Sequence, residues 1–416
     1  MTAQTHIYTS ITSNYLPKAR ALAASVKRVA PNAMFHLLLS DDLPSEFDLE
    51  QEDFDTIIFA DSLPIENFKQ WSFSHSVVEL CTAVKGVALE TIFERYAAER
   101  VFYFDPDIVL FSQIDALEKE LIEHSVLLTP HQTKPETSTE AVIHNEICSL
   151  KHGVFNLGFV GVHNDPEGRA FAKWWAERLL LFCHDDTGRG LFTDQKWANL
   201  APCLFDRVKI LRSPVYNVAT WNLTARYATG SLKKGILING EPLVFYHFSG
   251  MDSGGQENML KLYGKHSPVL FDLRKWYVAE CERFGQSDLG KLPSKYDTFD
   301  NGEKISRKHR LLYRQRIDLQ KHFPEPFSTL DQGGFQAWCA LNQSAETTGE
   351  ATPTHNIEFE FAPHNMANNS IGEDISAMAD YFSNMAGSDL IRSRLKRFFL
   401  RFISSSLRMM ASFVRR

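Results

Sequence analysis

Three short, wholly apolar runs set the limits on this chain. FHLLLS (35–40), TIIFA (56–60) and VFYF (101–104) show no polar alternation, so a strand built from any of them must be covered on both faces. A first β-rich run, THIYTS, precedes YLPKARALAASVKRV (15–29), which places Leu16, Ala19, Leu22, Ala23 and Val26 on one helical face. Residues 75–98 carry a second, longer helical pattern ending in RYAAE. Strands buried on both sides and alternating with helices predict an α/β fold whose sheet has parallel members. Further strands are expected at VFNLGFVGV (154–162), VKIL (208–211) and LVFYHF (243–248), with an amphipathic helix at 166–183 holding Trp174 and Trp175. FTDQKWANL (192–200) opens another helix with Thr193 as its expected cap. Residues 131–150 read as a polar insertion or loop, and 266–342 as mostly helical.

With 44% hydrophobic residues in 416, the chain can bury a core. Its net charge of -7 argues against a nucleic-acid partner. The charge is uneven: residues 391–416 hold eight Lys/Arg and no acid, leaving 1–390 at -15. The six cysteines form no C-x-x-C pair, so neither a disulfide framework nor a zinc site is expected, and a reducing, cytoplasmic setting is. The start MTAQTHIYTS has no signal-peptide pattern, and no apolar run is long enough to span a bilayer. Four segments are expected: an α/β domain over 1–265, a helical extension over 266–342, a linker-like stretch over 343–387, and a basic amphipathic helix over 388–416.

The chemistry concentrates in FYFDPDIVLF. Asp105 and Asp107 follow directly on a buried strand, and in open α/β sheets ligands gather beyond the carboxyl ends of strands. Two carboxylates separated by Pro106 can both reach a hard divalent cation, Mn²⁺ or Mg²⁺, which in turn can grip a diphosphate. The other Asp-x-Asp, Asp53 and Asp55, precedes its strand and reads as a solvated turn. His247, at the end of another apolar run, is a third candidate ligand.

Six motifs in order carry a resemblance: Asn14-Tyr15 followed by Ser25, ELCTAVKG (79–86), FDPD (104–107), FNLGFVGV (155–162), Thr193-Asp194-Gln195, and Tyr246 through Gly250. Together they resemble the GT-A fold nucleotide-sugar glycosyltransferases of the glycogenin and lipooligosaccharide galactosyltransferase family. The resemblance implies a Rossmann-like mixed sheet flanked by helices, here with a helical C-terminal extension. It implies Asp105, Asp107 and His247 as metal ligands, and donor contacts from Thr9, Ser10, Asn14, Tyr15, Lys85, Asn156 and Gly250. Asp194 would meet the donor sugar and Gln195 the face of the reacting carbon away from the leaving group. A UDP-sugar donor, a glycan or lipid-linked acceptor, retaining chemistry and a place in cell-surface polysaccharide synthesis follow from it. The family's lysine after that glycine is Ser253 here, so the base facing the donor phosphates is expected from Lys85, Lys261 or Lys265. YNVATWNLTAR (216–226) reads either as acceptor-cleft wall or as a structural turn.

The tail IRSRLKRFFLRFISSSLRMMASFVRR sets Ile391, Leu395, Phe398, Phe402, Met409 and Phe413 on one helical sector beside Arg394, Arg397, Arg401 and Arg408. Such a segment suits an anionic membrane surface, making the protein peripheral on the cytoplasmic face, or docks on the chain's own acidic body. Two other readings stay open at this level: a haloacid-dehalogenase-type phosphatase, which also uses Asp-x-Asp after a strand, and a sugar-binding or scaffold protein at the membrane without turnover.

Overall fold

The wholly apolar runs lie side by side in a seven-stranded sheet. The computed structural model describes residues 5–329 and 333–342. Its main elements are β1 (Thr5–Ile11), α1 (Leu16–Val29), β2 (Met34–Leu39), β3 (Thr56–Phe59), α2 (Val77–Tyr96), β4 (Arg100–Phe104), β5 (Ile108–Leu110), β6 (Val126–Pro130), β7 (Phe155–His163), α3 (Pro166–Phe182), α4 (Gln195–Ala198), β8 (Val208–Ile210), β9 (Phe245–His247) and α5 (Arg307–Gln315). The sheet runs β8-β6-β7-β4-β1-β2-β3, and β7 opposes its two neighbours while the other pairs are parallel. This is the mixed α/β sheet flanked by helices, with a helical C-terminal extension, that the sequence predicts.

Strand alternation divides the core into two layers. On one face Ile7, Phe35, Leu37 and Phe102 pack with Leu22 and Val26 of α1. On the other, Tyr8, Leu38, Val101 and Val160 pack with Leu80 and Val84 of α2 and Phe171 and Trp175 of α3. Because α2 is covered by the sheet on one side and α3 on the other, it is apolar nearly all round, as a doubly buried helix must be. Its start is fixed by a capping box in which Ser76 and Glu79 bond each other's backbone N–H groups.

The chain leaves β1 towards β2 and β3 on one side, while β4 lies on its other side. That reversal makes a crevice beyond the ends of β1 and β4, where Ile11 and Phe104 give way to loops. The short antiparallel pair β5–β9 (His247 opposite Ile108) brings His247 to this edge.

Two local expectations change. The polar stretch 131–150 is largely helical: Thr139–Ala141, Val142–Ile147 and Cys148–His152 wind in succession, the middle piece as a π-helix. Thr193 does not cap a helix. It sits at a left-handed φ of 43°, α4 starts two residues later, and no side chain caps it. The expected helical extension is present as Val269–Arg283, α5, Ile317–His322 and Phe335–Leu341. It shares one compact unit with the preceding residues. All six cysteines are free. The expected linker over 343–387 and the basic segment 388–416 lie outside the described residues.

Gly86 marks the closest approach of α2 to α3. A Cβ there would stand 2.6 Å from the Ala176 Cα, and backbone cannot yield as a side-chain tip can. Gly86→Ala should therefore cost about 1–3 kcal/mol of overpacking despite the better helix propensity of alanine. Chemical denaturation of the two proteins measures it, and an equal or raised midpoint would show that the helices separate freely.

Candidate metal and donor site

A cleft of about 920 Å³ opens at the crevice beyond β1 and β4, lined by Ser10, Asn14, Tyr15, Lys85, Asp105, Asp107, Asn156, Asp194, Gln195 and His247 among others. Ten of the twelve residues singled out from sequence thus share one cavity. Thr9 does not join them. It is fully buried on the Ile7 and Ile11 face of β1, one residue out of phase with Ser10. Gly250 does not line the cleft either. Its φ of +78° makes the turn after β9, a conformation that side chains disfavour.

Asp105, Asp107 and His247 each offer a ligand atom, all within 4.8 Å of one another. His247 Nε2 lies 3.0 Å from Asp107 Oδ1 and 3.8 Å from Asp105 Oδ2. The other ring nitrogen, Nδ1, is 3.2 Å from Asn217 Oδ1, so a proton on Nδ1 leaves Nε2 free to ligate. Asn217 adopts φ 49° and donates from Nδ2 to Thr129 Oγ1 (2.8 Å) and Asn156 Oδ1 (2.9 Å). Two carboxylates and a neutral imidazole with a locked tautomer fit a hard divalent cation. Burial alone would lower the His247 pKa, but Asp107 and Asp105 outweigh it and hold it above its ordinary value. Burial pushes Asp107 up, and His247 more than reverses this, so its carboxyl lies below the usual range.

The glycine of F-N-L-G makes this approach possible. A Cβ on Gly158 would lie 2.5 Å from His247 Cε1 and 2.8 Å from Asn156 Oδ1. The Gly158 carbonyl also accepts from Asp105 N at 2.8 Å. One residue on the antiparallel strand therefore sets both halves of the triad.

Lys85 joins the triad to one further acid, Asp194. From α2 its ammonium donates to Asp105 Oδ1 (3.2 Å) and Asp194 Oδ2 (2.9 Å) and lies 4.1 Å above the Tyr103 ring. Tyr103 Oη donates to the same Asp105 oxygen at 2.5 Å. Burial would discharge Lys85, but Asp105 and Asp194 prevail and keep it protonated. Lys85 is thus engaged by two carboxylates. Lys261 is exposed and paired with Glu257 at 2.6 Å, and Lys265 is exposed. Neither lines the cleft. The expectation that one of them replaces the lysine at Ser253 does not hold for Lys261 or Lys265. Ser25, too, acts in packing: its Oγ donates to Leu22 O and accepts from Leu110 N, tying α1 to β5.

Gln195 lies at the cleft floor with its amide oriented from both ends. Nε2 donates to His152 O (3.1 Å) and Oε1 accepts from Leu157 N (3.3 Å). His131, His144, Ser149, His152 and Trp221 also line the cleft. Trp221 meets His247 edge-on at 5.3 Å. Within the stretch 216–226, Asn217 is buried architecture and Trp221 lines the cleft. Asp55 is far from this chemistry; its carboxylate accepts from Phe35 N (2.6 Å) and Lys27 Nζ (2.5 Å). Among the described residues no helix is long and apolar enough to cross a membrane.

No protein-family model matches the chain. It is 31% identical over 176 residues to the uncharacterized protein YfnF of Bacillus subtilis (strain 168), covering 41% of this chain and 56% of that protein. With the uncharacterized protein YfnD of the same organism it shares 30% identity over 175 residues, covering 41% and 53%. The chain spans about half the length of these relatives. Among solved structures it is similar to the galactosyltransferase LgtC in complex with donor and acceptor sugar analogs (15% identity, TM-score 0.37, 63% of this chain and 96% of that one). It is also similar to the apo glycosyltransferase GlyE of Streptococcus pneumoniae TIGR4 (14%, TM-score 0.37, 71% and 66%). At these identities and TM-scores neither assigns a chemistry to this chain.

Gly158→Ala should push His247 off the triad and weaken Mn²⁺ binding about tenfold or more. Mn²⁺ affinity should also fall as pH drops through the raised His247 pKa, because the ligating nitrogen must shed a proton. Mn²⁺ titrations of both proteins across pH measure the two effects. Unchanged affinity in the alanine variant would remove His247 from the ligand set.

Proposed function

We propose that this chain is a metal-dependent, retaining hexosyltransferase that moves a sugar from a nucleotide sugar, most simply a UDP-sugar, to a hydroxyl of a glycan or glycolipid in cell-surface polysaccharide synthesis. The observation that carries the reading is the meeting, in one cleft at the switch point of the sheet, of the Asp105–Asp107–His247 triad with the Lys85-held Asp194 and the oriented amide of Gln195. A bound Mn²⁺ or Mg²⁺ would offset the charge that grows on the departing nucleoside diphosphate.

The chain's own groups account for the rest. Ser10, Asn14 and Tyr15 line the cleft at the end of β1, on the side where the nucleotide is expected. Asp194, on the same floor, would accept donor-sugar hydroxyls while Lys85 fixes its position. Asn156 spends Oδ1 on Gly158 N (3.1 Å) and Asn217, and its Nδ2 meets Gln195 Oε1 (3.4 Å) and His131 Nε2 (3.3 Å), so beside the donor sugar it would also orient the Gln195 amide. Glutamine is a poor nucleophile, so the acceptor hydroxyl would attack on the leaving-group side through an oxocarbenium-like state, with the Gln195 oxygen near the developing positive charge. Trp221 and the histidines that line the cleft would offer the stacking face and polar groups that a hydroxyl-rich acceptor needs.

Purified protein with Mn²⁺ and a set of nucleotide sugars should release nucleoside diphosphate from one of them. Asp107→Asn should abolish this while the protein stays folded, since Asp107 sits at a strand end and not in the core. Gln195→Ala should keep donor binding and lose most of kcat. Full activity of Asp107→Asn after chelation and Mn²⁺ add-back would refute the metal assignment, and a raised KM with unchanged kcat would make Gln195 a binding group.

The acceptor's setting is a membrane surface in this reading, reached through the basic segment 391–416. Deleting that segment should leave activity on a soluble acceptor intact and abolish binding to anionic liposomes at low salt. Equal liposome binding with and without it would discard the membrane partner.

A further inference from the structure

The helical extension does more than follow the catalytic unit. Leu292, Pro293, Ser294 and Asp297 line the same cleft as the metal triad. The segment is fastened there from both sides. Lys295 N donates to Asp41 Oδ1 (3.0 Å), and the other oxygen of that carboxylate accepts from Ser13 N (3.3 Å), in the loop after β1. Lys295 Nζ reaches Asp42 Oδ1 at 2.7 Å. Arg310 of α5, 3% exposed, donates to Tyr296 O (2.6 Å) and to the carbonyls of Phe73 and His75 just before α2. Arg314 pairs with Glu79 in the first turn of α2 at 2.7 Å. Residues 292–297 are thus clamped between the end of β1 and the start of α2.

The lining of that cleft includes Ile11 and Thr12 at the end of β1, Val77 and Cys81 at the head of α2, and Leu292 and Pro293 of the extension. Apolar lining of this kind suits a flat heteroaromatic ring, whose faces shed water and whose edges keep their hydrogen bonds. Asp297 adds a half-exposed carboxylate, an acceptor for the paired hydroxyls of a ribose. We infer that Leu292 and Pro293 form the outer wall of the nucleobase subsite, so that the extension, together with the sheet, selects the donor nucleotide. The inference rests on the nucleotide-sugar reading above. The lining by His131, His144, His152 and Trp221 is left for the acceptor.

The test is calorimetry on the full chain in Mn²⁺ with two kinds of ligand: inorganic pyrophosphate, and the nucleoside diphosphates UDP, GDP and ADP. Leu292→Asp and Pro293→Asp set a charge against the base while leaving the metal triad untouched. Pro293 is exposed, so its variant should fold as the wild type does. Each variant should lose about tenfold or more in affinity for the best nucleoside diphosphate and stay within about twofold for pyrophosphate. Equal loss for both ligands, or no loss for either, would overturn the proposal. So would a wild type that binds pyrophosphate as tightly as every nucleoside diphosphate. A wild type that binds neither kind would instead sink the donor reading itself, an outcome distinct from any difference between variants.

Discussion

The ammonium of Lys85 is the interaction on which the cleft depends. It is buried between Asp105 and Asp194, which arrive from distant parts of the chain, β4 and the turn before α4. Without it two carboxylates would face each other in a poorly solvated space, and neither would keep its charge without a large cost. With it, Asp105 stays beside Asp107 and His247 and Asp194 stays in the cleft lining, and a single cation sets the spacing of both. The Tyr103 ring beneath the ammonium and its hydroxyl on Asp105 complete the setting. A lysine so engaged orders the site; it is not a free phosphate contact.

That distinction marks how far the sequence could be read. The sheet was legible because runs such as FHLLLS admit no other environment, and Asp105 and Asp107 because a strand end followed by Asp-Pro-Asp has few other uses. Thr9 and Ser10 were both expected at the donor and only Ser10 lines the cleft, since alternation along a strand sends neighbours to opposite faces and the phase is set by packing against α2. The partners of Lys85 were not visible. Asp194 lies 109 residues away along the chain, and no local pattern encodes such a meeting. The same holds for Asn217: its left-handed backbone and its bond to the back of His247 are properties of the closed structure.

Glycine tells a related story. In F-N-L-G the resemblance supplied a motif, and the structure supplies its reason: only a residue without a Cβ lets an imidazole rest against the strand while the carbonyl holds Asp105. Gly158 thus acts without contributing a functional group of its own. Gly250 is of another kind, serving a turn beside the site through its φ. Motif matching treats the two alike, and geometry separates them.

The extension connects these points. Arg314 and Glu79 are both nearly buried, and burial alone would raise the Glu79 pKa; the guanidinium reverses this and brings it down to about 2. Removing either partner would strand the other charge in the interior, so the pair commits the extension and α2 to one another. Glu79 also accepts from Ser76 N and from Asp185 N, binding the start of α2 to the chain after α3. Lys85 stands less than two turns further along α2, on the helix that this pair anchors. Loosening the extension would therefore reach Lys85 and the cleft floor through a single helix. A segment that reads from sequence as an appendage is, in physical terms, part of the support on which Asp105 and Asp194 are held apart.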